Sequence, residues 1–395
     1  MDELYYDPYD YQIDADPHPI WKRMRDEAPL YRNEKLDFYA LSRFRDVLDA
    51  SLDHETFSSA RGTVLELMGR IPKPPPMIFT DPPEHSRLRK LVSRSFSPRR
   101  VSALEPRIRE LCRRYLDPQV GRDGFDYVAE FGAKLPVMVI SSLLGIPEGD
   151  QEQVREWTDR MLHREPGQRE PSPASVEAGQ SFYRYIGELI ADRTRRPRDD
   201  MMSQLLASEI TLEDGSRRKL EPGEILTFVG LLSAAGNETV ARLLGWAAIL
   251  LGRHSDQRER LLREPGLIPN AVEELLRYEA PSPVQARTVT HDVEIHGEVV
   301  PAGSTVLLLT GSAGRDEREY PDADRFDVSR RFERHVSFGF GIHFCLGASL
   351  ARLEGRVALE ETLRRFPHWE VVEEGLEMIH TSTVRGYARV PIRLP

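Results

Sequence analysis

Apolar residues recur at helical spacing along most of the chain, and stretches with strand character are few. A short strand pattern, "LYRNEKLDFYALSRF" (30–44), gives way to helices and then to a proline-rich stretch, "GRIPKPPPMIFTDPPEH" (69–85). Pro82, Pro83 and Glu84 announce a helix running through Arg89 and Lys90. Amphipathic segments follow around 101–116, 135–144 and 150–163, then a polar loop with Pro166, Pro171 and Pro173, then a helix over about 175–195. The longest helix pattern covers Glu221 to Arg253, with Pro222 and acidic residues in its first turn. At ~1.5 Å per residue it would span about 50 Å. Its middle, "ILTFVGLLSAAG", is apolar on every face, as in a helix buried through the centre of a protein. Two shorter helices, "DQRERLLRE" and "PNAVEELLRYE", lead to "VEIHGEVVPAGSTVLLLT", which reads as hairpin strands turning at Gly297 and at Ala302-Gly303. The pattern predicts a mainly α fold with minor β, as one domain over 1–395.

Composition narrows the class. The chain has 395 residues, 40% of them apolar, and a net charge of −10, which argues against nucleic acid as a generic partner. Its positive charge is almost all arginine, 48 Arg to 6 Lys, so local basic patches remain open within an acidic whole. Two cysteines make no disulfide framework and point to a reducing compartment. No basic residue precedes Lys22, so no signal or transit peptide is expected, and the uncharged runs 135–147, 225–237 and 299–314 are too short for a bilayer of ~20 apolar residues. A soluble, cytoplasmic protein without membrane or nucleic-acid partners is predicted.

One cysteine sits in unusual company. "FGFGIHFCLG" (338–347) places Cys345 just ahead of the helical pattern "ASLARLEGRVALEETLRRF". A helix N-terminus stabilises a thiolate, and Gly339, Gly341 and Gly347 permit positive φ and close backbone approach to a flat ligand. These are the needs of a shielded thiolate metal ligand. The ordinary alternative is an inert buried cysteine in a glycine loop. Zinc competes poorly, because no second Cys/His pair has the required spacing.

The pattern Phe338-x-x-Gly341-x-His343-x-Cys345-x-Gly347 resembles the heme-binding loop of the cytochrome P450 family of heme-thiolate monooxygenases, and four further segments match in the family's order. "AGNET" (235–239) puts an acid and an alcohol inside the apolar helix; by itself it could be a packing glycine beside a capped helix break. The resemblance implies that Thr239 hydrogen-bonds at the oxygen site, that Glu238 helps deliver protons, and that the pair widens the helix there. Val240 follows where many relatives carry a second hydroxyl, which leaves any relay one side-chain station shorter. "EELLR" sets Glu274 and Arg277 three apart on one helix face, ordinarily a surface pair worth a few tenths of a kcal/mol. The resemblance implies instead a buried structural network closed by Arg325 of "PDADRFD". His85 and Arg89, four apart, are otherwise solvated positions. With Arg287 and His343, they are implied to grip heme carboxylates. His335 reads as a loop histidine.

The resemblance further implies heme b with Cys345 as axial ligand, shielded by Phe338. Dioxygen would be activated with electrons from a separate ferredoxin and its reductase, and a hydrophobic small molecule hydroxylated or epoxidised, a natural-product, steroid or fatty-acid-like substrate being candidates. Arg89, Arg99, Arg100, Arg352 and Arg356 are candidates for donor docking, though a solvated face explains each equally well. The implied pocket takes in the loop around 64–77, helices around 155–185, Leu231, Leu232, Ala235, Ser282 to Val284, and the turn Thr383-Val384, while 168–175 is a candidate lid. A peroxide-driven enzyme or a heme-thiolate ligand-binding protein without turnover stands as the alternative. The intact Glu238-Thr239 pair speaks against both.

Overall fold

The computed structural model describes residues 3–71, 73–163, 171–212, 214–379 and 384–395. Helices α1 (Glu84–Val92), α2 (Glu105–Leu116), α3 (Lys134–Leu144), α4 (Gln151–Leu162), α5 (Pro173–Arg195), α6 (Pro222–Arg253), α7 (Ile268–Tyr278) and α8 (Ala348–Arg365) form its body. The prolines and glycines that punctuate the sequence stand at these boundaries: Pro173 and Pro222 open helices, and Gly145, in the left-handed conformation at φ 79°, ends α3. At α6 the Glu224 carboxylate accepts the Glu221 N–H at 2.8 Å, closing a capping box.

α6 runs through the largest core, packed against α3, α5 and α8. Its residues Ile225, Val229, Leu244, Ile249 and Leu251 are fully buried, which explains a helix apolar on all sides. Gly236 lets Ile140 of α3 come so near that a Cβ there would lie 3.0 Å from its side chain. The helix runs unbroken through the polar trio at 237–239, without the break or widening that the sequence allowed.

The β content is minor and, among the described residues, divides into five small sheets. Strands β1 (Leu30–Asn33), β2 (Phe38–Leu41), β3 (Phe57–Ser58), β4 (Gln285–Val289), β5 (Val293–Ile295), β6 (Glu298–Val300) and β7 (Thr305–Leu308) contribute to two sheets. The larger has the order β1-β2-β7-β4-β3, with β7 parallel to β2 (Leu307 opposite Ala40) and antiparallel to β4 (Val306 opposite Arg287). The hairpin at Gly297 forms, β5 with β6, and His296 and Gly297 both adopt positive φ. The one expected at Ala302-Gly303 does not: β7 leaves β6 and inserts between β2 and β4, burying Val306, Leu307 and Leu308 on both faces. Among the described residues no helix is long and apolar enough to cross a membrane.

Candidate functional site

The loop before α8 holds Cys345 at the floor of a cavity. Gly339 and Gly341 have φ of 67° and 68°, and a Cβ on Gly341 would stand 2.4 Å from the Ser51 carbonyl oxygen. Those two positions need glycine. Gly347 corrects the expectation of positive φ: it caps α8 at φ −85°, and a Cβ built there would meet only the sulfur, at an ordinary contact distance of 4.0 Å, so neither backbone nor space demands glycine at this position. Cys345 N–H donates to the Phe338 carbonyl at 2.8 Å, which folds the loop so that Phe338 and the sulfur share the cavity wall. Burial raises the Cys345 thiol. The Gly347 N–H, the Arg89 and Arg352 charges and the Ala348 N–H all act the other way, holding negative charge on sulfur. Cys112, by contrast, is a core residue whose thiol burial pushes far up.

Above the sulfur the cavity contains ≈1320 Å³ of atom-free space, solvent at its mouth included. Leu231, Leu232, Ala235, Gly236 and Thr239 of α6 face it, as do Ile140 of α3, Phe228, Met77, Ser282 and Gln285. Thr239 Oγ1 donates to the Ala235 carbonyl at 2.8 Å, so its hydroxyl is held at the wall with its oxygen free to accept. Glu238 is not on that wall. Its carboxylate pairs with Arg242 Nη2 at 2.9 Å, one turn on, and Arg242 also donates to the Tyr387 carbonyl. Asp159 of α4 lies close by, its carboxyl pushed up to about 6 mainly by burial, with the charge of Glu238 adding.

Four predicted cationic or imidazole groups converge at one edge. His85 is buried with neither ring nitrogen partnered among the described residues; His343 Nε2 is likewise unpartnered, and the two ring centroids are 4.3 Å apart. Among the described residues Arg287, 4% exposed, donates only to the neighbouring Ala286 carbonyl (2.8 Å) and to Gln285 (3.3 Å). Arg89 reaches the Phe344 carbonyl at 2.5 Å. Burial and the neighbouring arginines hold His343 down to about 2 and His85 to about 4, and burial lowers Arg287 to about 10. A buried guanidinium without a hydrogen-bonded carboxylate, and buried imidazoles without partners, are costly by themselves. The residues present therefore fit a ligand with carboxylates at this edge, a flat body along the glycines and an atom that takes a thiolate.

The chain matches the family model for cytochrome P450 over residues 174–389 and is 44% identical over 394 residues to putative cytochrome P450 123 of Mycobacterium tuberculosis, covering 99% of this chain and 97% of that one. The chain belongs to the cytochrome P450 family. Solved P450 structures agree with it over nearly their whole length. CYP109Q5 from Chondromyces apiculatus superposes with a TM-score of 0.89 at 35% identity, covering 98% of each chain. CYP109E1 from Bacillus megaterium, solved in complex with corticosterone, gives 0.86 at 31%, covering 97% of this chain and 99% of that one. As a P450 the protein is a heme-thiolate monooxygenase with a cysteine ligand.

Several expected residues lie elsewhere in this P450. The buried network is real: Arg277 binds Glu274 through two bonds (2.7 and 2.8 Å) and donates to the Gly314 and Ala323 carbonyls, with both side chains fully buried. Its second arginine is Arg330 (Nε to Glu274 Oε1, 3.2 Å), not Arg325, whose side chain is 64% exposed and contributes only its carbonyl. Val284 does not line the cavity, since it turns to the aromatic cluster of Tyr6 and Trp21 on the far side. Val384 and helices 155–185 are also absent from the wall among the described residues, and Thr383 lies outside them. Of the suggested lid, 168–170 lies outside the described residues, while Pro173 to Ser175 begin α5. In the suggested docking patch, Arg352 and Arg356 are already paired, with Glu273 and with Glu105 and Glu360. Sequence reading missed Arg330 and the buried acid Glu354. Only its helical position among apolar residues could have flagged Glu354.

Proposed function

We propose that this P450 binds heme b through Cys345 and oxygenates an apolar small molecule in the cavity beneath α6, drawing electrons from a ferredoxin and its reductase in the cytoplasm. When bound, the heme supplies reductive activation of dioxygen and insertion of one oxygen atom into a C–H bond or a double bond. The chain's own residues do the rest. The amides of Gly347 and Ala348 hold the thiolate, and Phe338 covers it from solvent. Arg89 and Arg287 would neutralise the propionates, and His85 and His343 would donate hydrogen bonds to them, so fixing the ring's orientation. Gly341 lets the loop lie flat against the Ser51 carbonyl. Thr239, its hydrogen on the Ala235 carbonyl, holds an oxygen lone pair toward the reacting centre and positions a proton-bearing group there. Glu238 reaches the relay only by leaving Arg242, which makes it a gated proton carrier with Asp159 close by. Leu231, Leu232, Phe228 and Ile140 exclude water and select apolar surface.

One observation carries this reading: an apolar cavity with a cysteine at its floor and, at its edge, buried Arg287 and part-buried Arg89 beside two histidines with ring nitrogens unpartnered among the described residues. The steroid bound to CYP109E1 supports the substrate class. The test is turnover under ¹⁸O₂ with ferredoxin and reductase, over a panel of steroids, fatty acids and terpenes. A product carrying one labelled oxygen is expected. Label from water alone, or turnover with peroxide and none with the donor pair, would refute the reading.

A further inference from the structure

On the opposite side of the cysteine loop from the cavity, a second set of charged groups surrounds Phe338. Glu273, on α7 beside the buried Glu274, accepts two parallel hydrogen bonds from Arg352 of α8 (Nε to Oε1 2.7 Å, Nη2 to Oε2 2.9 Å). A third comes from His335 Nε2 at 3.1 Å. The Ser337 N–H donates to His335 Nδ1 at 3.2 Å, so the ring hydrogen is on Nε2, where Glu273 needs it. His335 is 3% exposed, so it is no free loop histidine. The clamped Arg352 lies with its guanidinium carbon 4.6 Å from the Phe338 ring centroid, and the His335 ring is 5.7 Å from the same centroid. Phe338 carries its carbonyl against the Cys345 amide. Burial raises the Glu273 carboxyl, but the bonds from His335 and Arg352 outweigh it and hold it at about 2, so the clamp stays charged across the working range.

We propose that Glu273 and His335 are positioning residues that hold the Arg352 guanidinium over Phe338, setting how much positive charge the Cys345–heme unit feels and hence its reduction potential. The arrangement suits this role better than a docking role, because Arg352, although partly exposed, already commits two of its donor nitrogens to a carboxylate of its own chain. A cation near the iron favours the reduced, more electron-rich state, and Glu273 offsets part of that charge. The two singles must therefore move the potential in opposite directions. A purely structural clamp has no such sign.

The inference rests on Cys345 being the heme ligand. The experiment is a redox titration of the ferric/ferrous couple in substrate-free holoenzyme, after the reduced carbon monoxide spectrum has been recorded for each protein. Arg352→Gln should lower the midpoint potential, Glu273→Gln should raise it, and the double variant should return close to wild type. Arg352→Lys, which keeps the charge and loses the two-bond hold on Glu273, should fall between wild type and Arg352→Gln. A wild-type spectrum without thiolate character would remove the ligand assignment and the inference with it. Thiolate spectra with potentials that do not move, or that move the same way in both singles, overturn the clamp alone. Should Arg352→Gln fail to load heme, an unmoved potential in Glu273→Gln is sufficient to overturn it.

Discussion

Replacing Arg330 with alanine should destabilise this P450 far more than replacing Arg325, although the family pattern points to Arg325. Arg330 is 11% exposed and donates to Glu274 Oε1 (3.2 Å) and to the carbonyls of Pro321 (2.6 Å), Asp322 (2.8 Å) and Arg325 (2.8 Å). Its loss gives up three carbonyl contacts on the exposed side, where water can replace it, and removes one of the two cations that neutralise a fully buried carboxylate. Each hydrogen bond from a charged group nets ~1.5–3 kcal/mol, and shared networks do not add, so about 3 kcal/mol is expected in total. Glu274→Ala, which leaves the buried Arg277 uncompensated, sets the upper end at ~3–5 kcal/mol. Arg325→Ala removes one 3.4 Å surface contact to Asp327 and should stay within ~0.5 kcal/mol. The assay is urea unfolding of the heme-loaded protein followed by circular dichroism, comparing midpoints at a common slope. Equal costs for the two arginines, or a larger one for Arg325, would refute the assignment.

Two further outcomes are expected at the site. Thr239→Ala should keep substrate binding but divert reducing equivalents to peroxide or water, cutting product per electron by at least ~10-fold, against the ~10²–10⁴ that a positioned proton group contributes; unchanged coupling would remove the relay role. Glu354 is 1% exposed, its Oε2 is unpartnered among the described residues, and burial raises its carboxyl to about 8 from 4.5. The folded state therefore keeps a proton that the unfolded chain releases. The stabilising contribution is full below about pH 4.5 and is lost as pH rises toward about 8, at ~1.4 kcal/mol per unit. Glu354→Gln, neutral throughout, should gain on wild type by that slope across the window in denaturant titrations at pH 5, 6.5 and 8, and a constant difference would contradict it.

Chemistry set at fixed spacing along single elements was legible in the sequence. His85 and Arg89 share a helix face, as do Glu274 and Arg277, and the cysteine loop is a contiguous stretch whose glycines have strict conformational jobs. α6 was readable almost to the residue because its period and its capping residues agree. Features decided by where irregular or distant chain segments come to rest were not. Arg325 and Arg330 sit in a segment with no period, so nothing local says which guanidinium turns inward. β7 finds its partners in β4, which lies before the β5–β6 hairpin, and in β2 near the N-terminus, and turn residues at 302–303 carry no trace of that. Val284 sits beside cavity-facing residues, yet the chain's path points it away. Glu238 follows from helix geometry: 100° from Thr239, it meets Arg242 before it meets the cavity. Glu354 hides in a helical pattern that looks merely amphipathic.

The most direct test of Cys345 as a heme thiolate is the absorption spectrum of the dithionite-reduced protein under carbon monoxide, for wild type and Cys345→Ser. The wild type should show a Soret band strongly red-shifted from that of a histidine-ligated heme, and the variant should lack it. An unshifted wild-type band, or a Cys345→Ser protein that keeps the shift, would contradict the heme-thiolate assignment at its root.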